Sequence, residues 1–349
     1  MHATRGEAKS GEIELLHPAP PEPGDIREIA PGFLWLRMPL PFILNHVNIW
    51  LLDDGDGWTI IDAAADKPVT REIWDRVLTR DLAGERISRL ICTHGHPDHV
   101  GLAGWLCERL DVRLHMTLGE WLAPQVWREQ GLKPMGDGEI RFFRDNGVAE
   151  TDIERMKSQR ENAQFRNYPL PTSFQRIRDG ETLRFGKQSW KVLVNGGHAD
   201  EHASFYSSRA GILIAGDQIL SKITPVVGVF PSQPTANPLA DYIASLKRLA
   251  KLPDDTLVLP SHGLPFRGLR RRIAQMEAHH EKRLAKLEEV MTKPKTGVEL
   301  AAGLFERAMA EGQLVMALAE TLAHAHYLVS LRRAERVVGK DGRVTFSRA

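Results

Sequence analysis

The order of apolar and polar positions divides the chain into short strands, amphipathic helices and one stretch where neither period holds. Residues 32–37 (GFLWLR), 47–52 (VNIWLL) and 58–62 (WTIID) read as successive strands. The Gly- and Asp-rich turn at 53–57 joins the last two, and the three together predict an antiparallel meander. Residues 68–82 have helical periodicity, 87–92 read as a buried strand, 100–110 as a helix and 112–116 as another strand. Such alternation gives sheets covered by helices. Strands resume at 182–185, 190–194, 204–207, 211–215 and 256–260, with 204–207 and 211–215 forming a hairpin.

Between about 118 and 174 the pattern changes. Trp121, Trp127, Phe142, Phe143, Phe165 and Tyr168 are scattered among charges, with one helical segment near 150–164. This reads as an insertion, either a lid or collar over a site or a unit packed on the outer helices. After 265 the pattern is helical: a long helix over 270–290, a second one capped by Thr296, and more helix over 313–335. Residues 337–346 then form a hairpin with an Asp-Gly turn, and helices followed by such a hairpin make a winged-helix shape. The first 25 residues or so, polar and Pro-rich, read as a loosely held arm.

Composition narrows the class. The 349 residues suit one large and one small domain, and 42% hydrophobic with 26% charged residues is the balance of a globular protein. A net charge of +1 gives no global attraction to nucleic acid or membrane. From Pro265 onward, however, sixteen Lys and Arg stand against ten Asp and Glu, so the tail is basic and the first 264 residues are acidic. Two cysteines, Cys92 and Cys107, cannot make a disulfide framework and read as small buried residues, with a soft-ligand role for Cys92 as the alternative. With no apolar leader and no run of spanning length, a cytoplasmic location without membrane contact is expected.

The chemistry is concentrated in Thr93-His94-Gly95-His96-Pro97-Asp98-His99, an H-x-H-x-D-H pattern. On an extended segment His94 and His96 point the same way and can grip one ion. Gly95 permits a tight backbone and Pro97 fixes φ, so the chain can turn and offer Asp98 and His99 to a second ion. The motif follows a strand, and the end of a strand is where open α/β architectures place their sites. The same grammar recurs: 190–194 run into Gly197-His198, with His202 four residues on; 211–215 end at Gly216-Asp217; 256–260 end at Ser261-His262-Gly263. Asp62 also ends a strand, where it either hydrogen-bonds a metal-binding His from behind or starts a turn. The remaining His residues, including the pairs His279-His280 and His324 with His326, have no motif around them and default to structural or exposed roles.

Over roughly residues 30–264 the chain resembles the metallo-β-lactamase-fold hydrolase superfamily: THGHPDH looks like its first metal motif, and GGHADEH, AGDQIL and LPSHG like its later ones, in order. The resemblance implies an α/β fold, an αββα four-layer sandwich with a two-metal site at one edge. It implies His94, His96 and His198 on one zinc, Asp98, His99 and His262 on the other, and Asp217 between them. Iron or manganese also suit such a donor set. The tail resembles the small C-terminal domain of the lactamase-B-like and glyoxalase II-like branch. The expected organisation is therefore an arm over 1–25, a catalytic domain over 26–264 with its insertion at 118–174, and a winged-helix-like domain over 265–349.

The expected activity is hydrolysis by a metal-bridging hydroxide, with Asp98 and Asp217 orienting the water, on a small-molecule ester, thioester or lactone. A metal-dependent endoribonuclease acting on RNA is the alternative, suggested by the basic tail. A winged-helix nucleic-acid-binding regulator is the non-enzymatic one. Tyr168 is the residue of the insertion most able to donate to a substrate oxygen, and His202 is a candidate to face substrate or to stand behind a ligand. A homodimer is left open.

Overall fold

A computed structural model describes residues 12–17, 19–41, 44–162, 168–310 and 312–349. Two seven-stranded sheets lie at its centre. The first runs in chain order through Ile26–Ala30, Phe33–Pro39, His46–Asp53, Trp58–Ile61, Ile87–Ile91, Leu114–Met116 and Gln175–Arg176. It begins as the expected antiparallel meander and turns parallel from Trp58–Ile61 onward. The second has the spatial order Glu14–Leu15, Phe266–Arg267, Leu257–Pro260, Ile212–Gly216, His202–Ser207, Gln188–Asn195, Thr182–Phe185. Here Ile212–Gly216 and Leu257–Pro260 are the parallel pair.

The burial pattern explains why these segments are strands. His46–Asp53 is buried at every position but its ends, as a central strand covered on both faces must be. Between the sheets lie Trp35, Trp50, Phe185, Trp190 and Phe205, with Trp35 and Trp50 stacked at 5.7 Å between ring centroids. Helices Pro68–Arg76 and Ala103–Leu110 cover the outer face of the first sheet through Ile73, Trp74, Leu106 and Cys107. Pro238–Leu249 and Leu269–Val290 cover the second through Tyr242, Leu246, Ile273 and Met276. The result is the expected αββα order of four layers.

The insertion differs from its sequence pattern. Among its described residues it holds three helices, Leu118–Gly131, Asp137–Asp145 and Glu150–Asn162, where periodicity shows one. Its aromatic residues are divided among three environments. Trp121 stacks on Phe174 at 4.5 Å beside the first sheet's outer core, Phe142 and Phe143 enter the core on the other side, and Trp127 lies over His96. Phe165 falls outside the described residues. Part of the expected arm is an edge strand, Glu14–Leu15 paired with Phe266–Arg267, while residues 1–11 and 18 fall outside the described residues.

Beyond residue 268 come Leu269–Val290, Gly297–Leu304, Glu306–Ala310 and Leu314–Ser330, then a hairpin of Ala334–Val338 with Val344–Arg348. Thr296 caps its helix as the sequence indicates, accepting from Glu299 N while Glu299 returns a bond to Thr296 N at 2.7 Å. Two of the motif-less histidines, His280 and His324, are structural. His324 Nδ1 donates to Glu320 O at 2.7 Å, so its Nε2 is free to accept from His280 Nδ1 at 3.1 Å.

Burial first, then the like charges of His324 and His279, would push His280 down to about 3, and burial takes His324 to about 4. Tyr242, His279, Arg283 and Glu320 are the other titratable groups around the pair. Both histidines are depressed bases, so they leave stability untouched above pH 6.5. Below it the unfolded chain takes up protons that the folded one refuses. Stability should then fall by up to about 1.4 kcal/mol per pH unit for each histidine between pH 6.5 and 4. Denaturant titrations of wild type and His280→Phe should show a shallower slope in the variant over that range.

Candidate metal centre

The H-x-H-x-D-H segment leaves the first sheet where Ile87–Ile91 ends. His96 sits at the N-cap of a short helix, Pro97–Val100, with Pro97 at its first position, and that helix presents Asp98 and His99. The other sheet supplies the rest from three strand ends: His198 after Gln188–Asn195, Asp217 after Ile212–Gly216 and His262 after Leu257–Pro260. Gly197 before His198 has φ +110 and lies against the Tyr242 backbone, so no side chain fits there.

Three groups of side chains converge, each with ligand atoms within 4.8 Å of one another: His94, His96 and His198; His94, His99 and Asp217; Asp98, His99 and His262. His94 Nε2 lies 3.0 Å from His96 Nδ1 and 3.3 Å from His198 Nε2. Asp98 Oδ2 lies 3.4 Å from His262 Nε2 and 3.7 Å from His99 Nε2. Asp217 reaches both sets, with Oδ1 3.3 Å from His262 Nε2 and Oδ2 3.4 Å from His198 and 3.6 Å from His99.

The imidazoles are oriented from behind. His99 Nδ1 donates to Asp62 Oδ2 at 2.8 Å, His198 Nδ1 to Val226 O at 2.8 Å and His262 Nδ1 to His46 O at 2.7 Å. In each case the Nε2 lone pair is turned into the cluster, the tautomer a metal ligand needs. Asp62 also accepts from Thr93 N at 2.7 Å, so of its two sequence readings the one behind a histidine describes its position.

The electrostatics agree with a cation site. Burial opposes charge on Asp217, yet His262 and His99 hold its carboxyl well below the usual range. Burial likewise opposes charge on His262, and Asp217 and Asp98 lift it to about 10, so its Nε2 holds a proton that a bound metal ion would displace. His96 goes the other way, down to about 3, through burial and the neighbouring His198. Buried and without a hydrogen-bond partner among the described residues are His99 Nε2, His262 Nε2 and Asp217 Oδ1. Orphaned lone pairs facing one another at this spacing are the donor set of a divalent cation, which would satisfy them at once.

Of the two candidates for substrate contact, Tyr168 lies elsewhere, and His202 takes the place behind a ligand that the sequence also allows. Tyr168 is not brought to the cluster: its hydroxyl donates to Glu108 and its ring carries the Arg71 guanidinium at 5.4 Å, both on the helices outside the first sheet. His202 is fully buried beneath the cluster, and its Nε2 accepts from Asp217 N at 3.0 Å, so it holds Asp217 in place and has no surface for substrate. Cys92 is buried too, its Sγ 3.7 Å from His99 O. The sequence reading omits Glu120. Only 2% exposed, it accepts from Gly95 N at 2.8 Å and Glu201 N at 2.9 Å, fastening the loops that carry His94 and His198 to each other. A lone acid in the apolar run Leu118-Gly119-Glu120-Trp121-Leu122 was its one signal.

A helix-clad double sheet with a His and Asp cluster at one edge is the build of a metal-dependent hydrolase. The chain belongs to the metallo-beta-lactamase superfamily, whose model matches residues 43–262, and a metallo-beta-lactamase-like C-terminal domain model matches 284–349. A beta-lactamase domain protein from Burkholderia ambifaria superposes with a TM-score of 0.84 at 37% identity, covering 97% of this chain and 99% of that one. A probable metallo-hydrolase of Bacillus subtilis (strain 168) is 29% identical over 84% of this chain and 91% of its own length. A hydroxyacylglutathione hydrolase of Serratia proteamaculans (strain 568) is 26% identical over 72% of this chain and 76% of its own.

Proposed function

We propose that the protein is a binuclear zinc hydrolase of esters or thioesters. His94, His96 and His198 would hold one ion, Asp98, His99 and His262 the other, with Asp217 shared; iron or manganese would fit the same donors. The observation that carries the reading is the reach of the Asp217 carboxylate, within 3.6 Å of His198 on one side and of His99 and His262 on the other. Two such ions supply Lewis acidity and a water acidic enough to attack at neutral pH.

The chain's own groups do the rest. Asp98, the more exposed of the two acids, is placed to orient the attacking water and take its proton, while Asp217 stays fixed by His202 beneath it. Glu120 keeps the two ligand loops in register. A thioester is favoured because relatives bear the name hydroxyacylglutathione hydrolase, and an acylglutathione is a thioester. RNA has less in its favour: of the basic tail, Arg283 is spent on Glu320, Arg333 on Glu288 and Glu281, and Arg272 on the carbonyls of Leu220 and Ile223. In this reading the winged-helix-like C-terminal unit is a packing element.

Thiol release from acyl-glutathione and acyl-CoA thioesters should be lost on chelation and restored by zinc, with about two zinc ions bound per chain by elemental analysis. Metal-loaded, folded protein that cleaves RNA but no ester or thioester would overturn the assignment.

A further inference from the structure

A cavity of about 630 Å³ opens beside His96 and leads away from the metal cluster. Its walls come from three parts of the chain: Trp127 and Phe143 of the insertion, Phe230 of the loop before Pro238–Leu249, and Val315 of the helix Leu314–Ser330. The lining is mostly apolar. Its two charged members, Glu139 and Arg160, neutralise each other through bonds of 2.7 and 2.8 Å. Trp127 stacks on His96 with ring centroids 5.8 Å apart, so the apolar wall begins at a candidate ligand.

Phe230 is held at the opposite wall although it is 39% exposed. Val229 N donates to Ala319 O at 3.0 Å and His326 Nδ1 to Ala236 O at 2.8 Å, which fastens the Phe230 loop to the C-terminal helix at both ends. Exposed apolar surface kept in place beside a catalytic cluster marks a ligand surface. On the other side of His198 the character reverses: a groove of about 520 Å³ is lined by Asp200, Asp241, Ser245 and Arg248. Between the two lies a smaller cavity lined by His96 and His198, which shares Trp127 and Phe230 with the apolar side and Asp200 and Gln233 with the polar one, so both arms open onto the candidate metal cluster.

We infer that the apolar cavity is an acyl pocket: the substrate is a thioester or ester with a long, apolar acyl chain lying between Trp127 and Phe230 and a polar leaving group in the opposite groove. The inference rests on the hydrolase reading above and names its substrate class. A cavity of this size is in the range that encloses a whole small ligand. The pairing of Glu139 with Arg160 leaves neither of these two charges uncompensated to attract a charged group.

Gly138 gives the test. It lines the cavity on the helix Asp137–Asp145 with a negative φ, and a Cβ built on it meets no atom within 4 Å. Gly138→Trp therefore fills the space without straining the backbone, which a thermal melt would verify. Acetyl, hexanoyl and dodecanoyl thioesters of N-acetylcysteamine are the probes, with zinc-loaded full chain. For the wild type, kcat/KM should climb by about two- to fourfold per methylene until the pocket is full. In Gly138→Trp the dodecanoyl-to-acetyl ratio should collapse by about tenfold or more. Equal kcat/KM at all lengths, or an unchanged ratio in the variant, would overturn the pocket and leave the hydrolase standing. If neither these thioesters nor the phenyl esters of the same acids are cleaved, the hydrolase reading fails, and calorimetric binding of dodecanoate decides the pocket independently: binding weakened by Gly138→Trp supports it, and no binding or equal binding refutes it.

Discussion

Asp217→Ala should reduce turnover by about a thousandfold or more while the chain stays folded. Asp217 is 6% exposed, and its carboxylate makes its close contacts with His198, His99 and His262. Its removal deletes the group shared by both candidate triads. The fold should tolerate the loss because the three hydrophobic clusters lie elsewhere, around Trp35, Trp50 and Trp190 between the sheets, around Trp74 and Leu106 outside the first and around Tyr242 and Met276 outside the second. Zinc content should fall with activity, and Asp217→Asn, which keeps the shape and loses the charge, should be nearly as inactive. Steady-state rates beside elemental analysis and circular dichroism test this. A folded Asp217→Ala protein with wild-type kcat would remove Asp217 from the site.

Asp62→Ala should weaken metal binding by about 10- to 100-fold although Asp62 is no ligand. Its carboxylate accepts hydrogen bonds from His99 Nδ1 at 2.8 Å and from the Thr93 amide at 2.7 Å, and Asp62 itself is 1% exposed. Alanine leaves both donors buried and unpaired, at about 1–3 kcal/mol each, so the melting temperature should fall as well. Asp62→Asn keeps an acceptor for one donor and should lie between. Competition with a chelating dye measures the affinity; an unchanged value in Asp62→Ala would mean that His99 is oriented by its backbone alone.

The metal cluster was legible because its residues come in short motifs, each released by a strand of apolar β-formers. A strand end fixes where a side chain emerges, so the order of motifs along the chain carries over into space. Asp62 could be singled out for the same reason. Trp127 and Glu120 could not be assigned roles, because they lie on a helix whose register toward the site is set by tertiary contacts: Thr117 Oγ1 to Glu201 O and Gly119 N to the Glu201 carboxylate, both at 2.8 Å. Tyr168 stands out in the sequence by its hydroxyl alone. Its direction is decided by Glu108 and Arg71, 60 and 97 positions away, which no local pattern reports. The helices of the insertion stayed hidden because their aromatic residues serve three different surfaces, and a side that changes partner every few residues leaves no single period.

The fastening of the Phe230 loop to the helix Leu314–Ser330 bears on what a minimal fragment of this protein could be. The superfamily model stops at residue 262, inside the last ligand loop, and invites a cut there. Such a truncation would bare the flank of Pro238–Leu249 that the helix Leu314–Ser330 covers and release the loop whose Val226 carbonyl steadies His198. Catalytic core and appendage are thus names for stretches of sequence, and the smallest heritable piece that keeps the site's shape includes the C-terminal helices.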